Sequence, residues 1–244
     1  MEADAEAPHY RRLSVLVPVY NERATVGEIV RRMRQVVLPG DLDLEIVVVD
    51  DGSTDGTEKI LAAIEDSTVM VLRHNANQGK GACIRTALAR AHGDLVLIQD
   101  ADLEYDPEDW PVLLAPMLRG RARVVYGSRY LGARQTSGYL AHLGNRVVSI
   151  AADLLYNTNL SDVQTCYKLF DRTVLDGIKI ESDRFDFEPE VTAKLLRQGI
   201  KIYEVPISYA GRDHDEGRKF VSRDTARALS SLVRYRFSAP GRRS

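Results

Sequence analysis

Across 244 residues, 33 Lys and Arg stand against 35 Asp and Glu for a net charge of −2, so no global electrostatic feature favours nucleic acid as a partner. A hydrophobic content of 44% suits one sizeable core, and no apolar run approaches the roughly 20 residues needed to span a bilayer. The opening MEADAEA is acidic, unlike a secretory signal, and Cys83 and Cys166 lack metal-ligand spacing, so a reduced cytoplasmic chain is expected.

Short apolar or β-branched runs at 13–19, 44–50, 68–74, 94–100 and 122–128 alternate with helical periodicity at 25–36, 57–65, 79–91 and 108–118. Near-continuous apolar strands separated by helices predict an α/β fold with a mostly parallel central sheet flanked by helices. Ligands of such sheets collect at the carboxyl ends of the strands. The first strand runs into Pro18, Tyr20, Asn21 and Glu22, and the second into Asp50, Asp51 and a glycine-rich turn. Asn21, Thr25 and Asp55 could serve there as helix caps. Capping does not explain why successive strand ends all carry acids, whereas carboxylates accepting bonds from a base and a ribose would.

The third strand is followed by NQGKG, which opens a helix with Lys80 near its N-terminus. It fits neither the Walker nor the dinucleotide glycine pattern, so a P-loop NTPase is excluded, and Lys80 is left to pair with a phosphate, a carboxylate or solvent. The fourth run, LVLIQDADLE, ends in Asp100, Ala101 and Asp102. Read as the end of a strand, the two acids point the same way, and hard divalent cations such as Mg²⁺ or Mn²⁺ want such carboxylate oxygens beside diphosphate and water. Arg129 follows the fifth run and Arg146 sits in a helical segment, 139–156, whose Leu140, Leu143, Val147, Ala151 and Leu154 recur at three- and four-residue steps. That stripe suits either a protein core or a helix lying in a bilayer interface. Glu188 and Glu190 open a further helix, where acids complement the helix dipole.

VPVYNE, VVVDDGSTDGT, NQGKGACIRTAL, IQDADLEYDPED, VVYGSR, TCYKLF, FEPEVTAKLLRQG and EVPISYAGR stand in this order. With these motifs the chain resembles family 2 glycosyltransferases of the GT-A fold, a Rossmann-like fold of nucleotide-diphospho-sugar transferases, and within them the dolichyl- and polyprenyl-phosphate mannose and glucose synthases. The resemblance spans about residues 13–237. It implies one GT-A domain over 11–237, with a nucleotide-sugar half to about 128 and an acceptor half beyond it. A disordered tail over 1–10 and a basic tail over 238–244 would flank it.

The resemblance also implies roles. Pro18, Tyr20, Glu22, Asp50, Asp51 and Lys80 would frame the nucleotide. Asp100, Ala101 and Asp102 would line the donor diphosphate, with Asp100, Asp102 and Glu104 as ligands of Mg²⁺ or Mn²⁺. Arg129, Arg146 and Ser149 would hold an acceptor phosphate, for which arginine's planar fork is suited. Asp162 would support that seat. Arg212, Arg218 and Lys219 would close over the diphosphate, with His214 a solvated member of their loop. Asp102, Arg129, Glu188 and Glu190 would carry the chemistry.

The implied reaction is inverting, metal-dependent transfer of a hexose, mannose or glucose, from a GDP- or UDP-sugar to a polyprenyl phosphate, by a peripheral protein on the cytoplasmic face of the membrane. The rival within the fold is transfer to a hydroxyl acceptor, which needs a general base that an ionised phosphate does not. A sugar-nucleotide pyrophosphorylase would need a glycine-rich basic N-terminal loop that is missing here, and a non-enzymatic lipid-binding scaffold would leave the acids unused. The sequence leaves the oligomeric state open.

Overall fold

The structure is a computed structural model that describes residues 9–132, 139–211 and 221–238. The expectations placed on Arg212, His214, Arg218 and Lys219, and those on the terminal segments 1–8 and 239–244, lie outside the described residues.

Strand β1 (Arg12–Val19) leads into helix α1 (Val26–Gln35), β2 (Asp43–Asp50) into α2 (Thr57–Ala62) and β3 (Val69–Arg73) into α3 (Lys80–Leu88). Strand β4 (Leu95–Ile98) leads through a 3-10 turn at Pro107–Asp109 into α4 (Trp110–Leu118). The chain continues through β5 (Val124–Ser128), α5 (Tyr139–Tyr156), β6 (Lys168–Asp171) and α6 (Arg172–Asp176), then α7 (Phe187–Arg197), β7 (Tyr203–Pro206) and α8 (Val221–Phe237). The sheet order is β3-β2-β1-β4-β6-β5-β7. All pairings are parallel except those of β6, which runs antiparallel between β4 and β5. The expected α/β sheet is thus present; the four helices expected in the first half are each trimmed by one to three residues at one or both ends, and α5 keeps its expected bounds.

The inner strands form because their side chains can be buried on both faces, whereas the edge strands β3 and β7 stay partly exposed. Every residue of β4 is buried, as are the last five of β2. One core runs under β1 to β6 and packs Trp110, Tyr126, Tyr167 and Phe170 among the aliphatic side chains. A second cluster joins Val148 and Ala152 of α5 to Leu160 and Val163, Ala193 of α7, and Ala228, Leu232 and Tyr235 of α8. The face of α5 that packs inward therefore carries Val148 and Ala152. Leu143, Val147, Ile150 and Leu154 stand 41–82% exposed.

One expectation is corrected here. Strand β4 ends at Ile98, so Asp100 and Asp102 stand on the loop beyond it and strand alternation does not orient them. That loop turns sharply, with Leu103 at φ 64° and the Glu104 N–H donating to Asp102 Oδ1 at 3.2 Å. Strand β6 was legible only as a motif, because four residues with a fully buried lysine at the start show no alternation.

Candidate active site

The strand order reverses at β1, which lies between β2 and β4, and the carboxyl ends of these three strands and the loops beyond them carry Pro18, Tyr20, Glu22, Asp50, Asp51, Asp100 and Asp102. Tyr20 leaves 46% of its surface in solvent beyond β1, and Pro18 beside it is half-buried. Asn21 takes a left-handed conformation, φ 55°, that asparagine tolerates. It then ties the two loops together: its N–H donates to Ser53 Oγ and its Oδ1 accepts from the Thr54 N–H, both at 2.9 Å. Glu22 accepts from Thr25 Oγ1 at 2.6 Å.

Asp50 and Asp51 are both buried but differ in use. Asp50 Oδ1 accepts from the Ser53 N–H at 2.9 Å. Its other oxygen makes no hydrogen bond and stands 3.3 Å from Arg73 Nε. Asp51 spends both oxygens inside the protein: Oδ1 accepts from His74 Nδ1 at 2.7 Å and the Gln78 N–H at 2.9 Å, and Oδ2 from the Gly79 N–H at 2.7 Å. Asp51 therefore clamps the turn before α3. Among the described residues, Asp51, His74 and Cys83 form the one cluster of three metal-ligating atoms, yet it makes a poor metal seat. His74 is already held between Asp51 and Thr86 Oγ1, and burial, then the charge of Asp51, raises the Cys83 thiol far above its ordinary range.

Lys80, the first residue of α3, turns its side chain toward Asp100 and Glu188. Its side chain is 8% exposed, with Nζ at 2.8 and 3.0 Å from the two oxygens of Asp100 and 2.7 Å from Glu188 Oε1. Burial opposes its charge, but Asp100 and Glu188 hold its pKa well above the ordinary lysine value. The Cys166 thiol lies beside Asp100 and is held protonated by burial and then by the charge of Asp100. Gln99, buried and missed by sequence reasoning, steadies the loop. Its amide donates to the Asp100 carbonyl, and its Oε1 accepts from Trp110 Nε1 and the Tyr167 hydroxyl. A glutamine closing an apolar strand was the available signal.

Asp100, Asp102 and Glu104 do not converge into one three-carboxylate cluster. Glu104 turns toward Tyr209, whose hydroxyl donates to Oε2 at 2.8 Å. The donor chemistry still fits a hard divalent cation. Asp100 is 25% exposed and Asp102 half-buried, both offer oxygen, and such ions are held by one or two carboxylates with diphosphate and water completing the shell.

The acceptor half is organised by the loop 160–166. Arg129 clasps Asp162 with Nε at 2.7 Å and Nη2 at 2.8 Å on its two oxygens, and its guanidinium lies 5.3 Å from the centre of the Tyr209 ring. Glu204 on β7 accepts from the Ser161 and Asp162 N–H groups. Ser149 is buried behind this loop, accepting from the Val163 N–H and donating to the Ser161 carbonyl, so it supports the loop and does not open onto the crevice. Arg146 is exposed one turn earlier on α5. Lys168, fully buried, donates to the Val163 carbonyl at 2.9 Å and lies 3.8 Å from the centre of the Tyr126 ring.

The two acids opening α7 also part company. Glu188 faces Lys80 and the crevice. Glu190 turns inward: its oxygens accept from the Glu181 and Ser182 N–H groups at 2.8 and 2.7 Å, and Lys194 Nζ lies at 2.5 Å. This corrects the pairing of the two as catalytic acids, because Glu190 buckles the 181–183 segment. That segment lies on the N-terminus of α3, where the Ala82 N–H donates to the Asp183 carbonyl and Arg85 Nη1 to that of Ser182. The glycines of NQGKG allow this approach, since a Cβ on Gly79 or Gly81 would overlap the backbone of Asp183 or Ser182.

In fold the chain is a GT-A glycosyltransferase. It superposes on glucosyl-3-phosphoglycerate synthase from Mycobacterium tuberculosis, crystallised with Mn²⁺, uridine diphosphate and glucosyl-3-phosphoglycerate. The TM-score is 0.75 and the identity 22%, over 95% of this chain and 82% of that one. The model of glycosyl transferase family 2 matches residues 14–178, and the chain belongs to that family. Similar sequences include the undecaprenyl-phosphate 4-deoxy-4-formamido-L-arabinose transferases of Pseudomonas fluorescens, 30% identical over 84% of this chain and 59% of theirs, and of Aeromonas hydrophila, 26% identical over 84% and 62%. The chain thus spans about three-fifths of the length of these curated relatives.

Proposed function

We propose that this chain is an inverting, metal-dependent glycosyltransferase that moves a hexose from a nucleoside diphosphate sugar to a polyprenyl phosphate. The observation that carries the acceptor class is the state of the two α7 acids. Glu188 is paired with Lys80, and Glu190 is saturated by two backbone N–H groups and Lys194. A hydroxyl acceptor needs a carboxylate free to take its proton, whereas a phosphate is ionised near neutral pH and attacks unaided. The names of the undecaprenyl-phosphate relatives support the same acceptor.

In this reading Pro18, Tyr20 and Glu22 frame the base. Asp50 Oδ2, buried without a hydrogen bond, accepts from the ribose. Asp51 holds the turn that delivers Lys80. Asp102, with Asp100 and Glu104 nearby, takes Mg²⁺ or Mn²⁺, and that ion would offset the charge growing on the departing nucleoside diphosphate. Arg129, fixed by Asp162, and the exposed Arg146 present positive charge to the acceptor phosphate.

The protein works peripherally on the cytoplasmic face of the membrane. Among the described residues no helix is long and apolar enough to cross a bilayer. Leu143, Val147, Ile150 and Leu154 line an exposed stripe of α5 with exposed Arg146 among them, a face suited to lie at the headgroup boundary.

The test is label transfer by purified protein from a panel of UDP- and GDP-sugars to a short polyprenyl phosphate in detergent, with Mg²⁺, Mn²⁺ or EDTA. Metal-dependent label in the lipid phase is the expected result and names the sugar. Label passing only to hydroxyl acceptors would overturn the acceptor assignment.

A further inference from the structure

We infer that Lys80 is a resident counter-cation of the donor seat, a positioning residue that competes with the divalent ion for Asp100 and holds Asp100 in register with Glu188. The inference rests on the reading of Asp100 and Asp102 as the metal–diphosphate seat. The sequence left Lys80 to pair with a phosphate, a carboxylate or solvent, and the structure gives it two carboxylates at once. Its ammonium lies within 3.0 Å of both oxygens of Asp100 and bonds Glu188 at the same time. With 8% of the side chain exposed, the ammonium has little water to fall back on, so releasing Asp100 would strip it of its principal partner.

The backbone keeps the ammonium there. The Gly79 N–H is anchored on Asp51, and the N-terminus of α3 is pinned by the Ala82 and Arg85 bonds to the 182–183 segment. Glu188 is presented from the opposite side by α7, whose own first turn is tied to that segment through Glu190. One ammonium thus joins an acid of the nucleotide half to an acid of the acceptor half. With Asp100 engaged by Lys80, the seat offers the ion fewer carboxylate oxygens, and the donor's own phosphate oxygens are needed to complete its shell. The ion and the nucleotide should therefore bind as a pair, and the ion alone weakly.

The experiment measures Mn²⁺ binding directly, by electron paramagnetic resonance of the free ion and by calorimetry, with and without UDP or GDP. It compares wild type, Lys80→Met, Lys80→Arg and the double variant Lys80→Met/Glu188→Gln. Loss of the ammonium frees Asp100 and removes a nearby positive charge. Lys80→Met should therefore bind Mn²⁺ without nucleotide at least about tenfold more tightly than wild type. The nucleotide's enhancement of Mn²⁺ binding should shrink to match, and Lys80→Arg should stay near wild type. The double variant leaves Asp100 without a second unpaired acid, so it keeps the test readable if Lys80→Met unfolds; it too should gain Mn²⁺ affinity. Unchanged or weaker Mn²⁺ binding in folded Lys80→Met or in the double variant would overturn the inference. Absence of Mn²⁺ binding by wild type even with nucleotide would bring down the donor-seat reading itself, and the inference with it.

Discussion

Arg129 and Asp162 form a two-pronged ion pair in which the aspartate has no exposed surface and the arginine side chain is 11% exposed. Such a pair costs desolvation on both sides, so its value lies in what it orients. Here it fixes the guanidinium against the Tyr209 ring while the carboxylate also accepts the Arg129 N–H, tying the end of β5 to the 160–166 loop.

Removing one partner strands the other. Asp162→Ala should lower stability by about 3–5 kcal/mol, more than Asp162→Asn, which keeps an acceptor for the Arg129 N–H. Urea melts of both variants check the order.

The junction between α3 and the 181–183 segment should be equally intolerant. Gly81→Ala forces a Cβ into the Ser182 carbonyl and should cost about 1–3 kcal/mol. Glu190→Ala should speed amide exchange at Glu181 and Ser182 before it affects the sheet, and hydrogen exchange read by mass spectrometry separates the two effects.

Lys168 makes stability depend on pH. Burial pushes its pKa down to about 7, against the charges of Glu188 and Asp162, which raise it. An unfolded lysine keeps its proton to about pH 10.4, so between pH 7 and 10 unfolding takes up a proton and this residue makes stability rise with pH. The stability of wild type relative to Lys168→Met should climb through that window by up to about 1.4 kcal/mol per pH unit, measured by denaturant melts at each pH.

The exposed stripe of α5 gives a prediction free of catalysis. Ile150→Ser with Leu154→Ser should weaken cosedimentation with anionic phospholipid vesicles by at least about tenfold while leaving the melting temperature nearly unchanged. Equal binding by both proteins would remove α5 from the membrane assignment.

Asp102→Asn should abolish metal-stimulated nucleotide binding while the fold persists, because Asp102 is half-buried on the loop beyond β4, where it accepts from the Glu104 N–H. Calorimetry with UDP and GDP in Mn²⁺ reads this directly.

The alternating strands and helices of the first half were legible because each strand is apolar on both faces and each helix is bounded by polar turns. The site was legible as a set of strand-end acids, but their division of labour was not. Nothing local distinguishes Asp50, with an oxygen free of hydrogen bonds, from Asp51, whose oxygens hold a turn that begins 27 residues later. Glu188 and Glu190 differ in the same way, since a helix sends them toward different neighbours. His74, Gln99 and Lys168 each appeared as one polar residue in or beside an apolar run, a pattern whose meaning depends on partners distant in sequence.

The antiparallel strand β6 bears on how separable the two halves are. Among the described strands it alone joins β4 to β5, so the sheet does not come apart at the boundary expected near residue 128. A fragment cut there would bare the Leu95–Ile98 edge, entirely apolar and unprotected, and would tend to self-associate. Transplanting the donor half onto another acceptor half would therefore require carrying β6 with it, and chimeras are better designed by exchanging loops on a shared sheet than by exchanging modules.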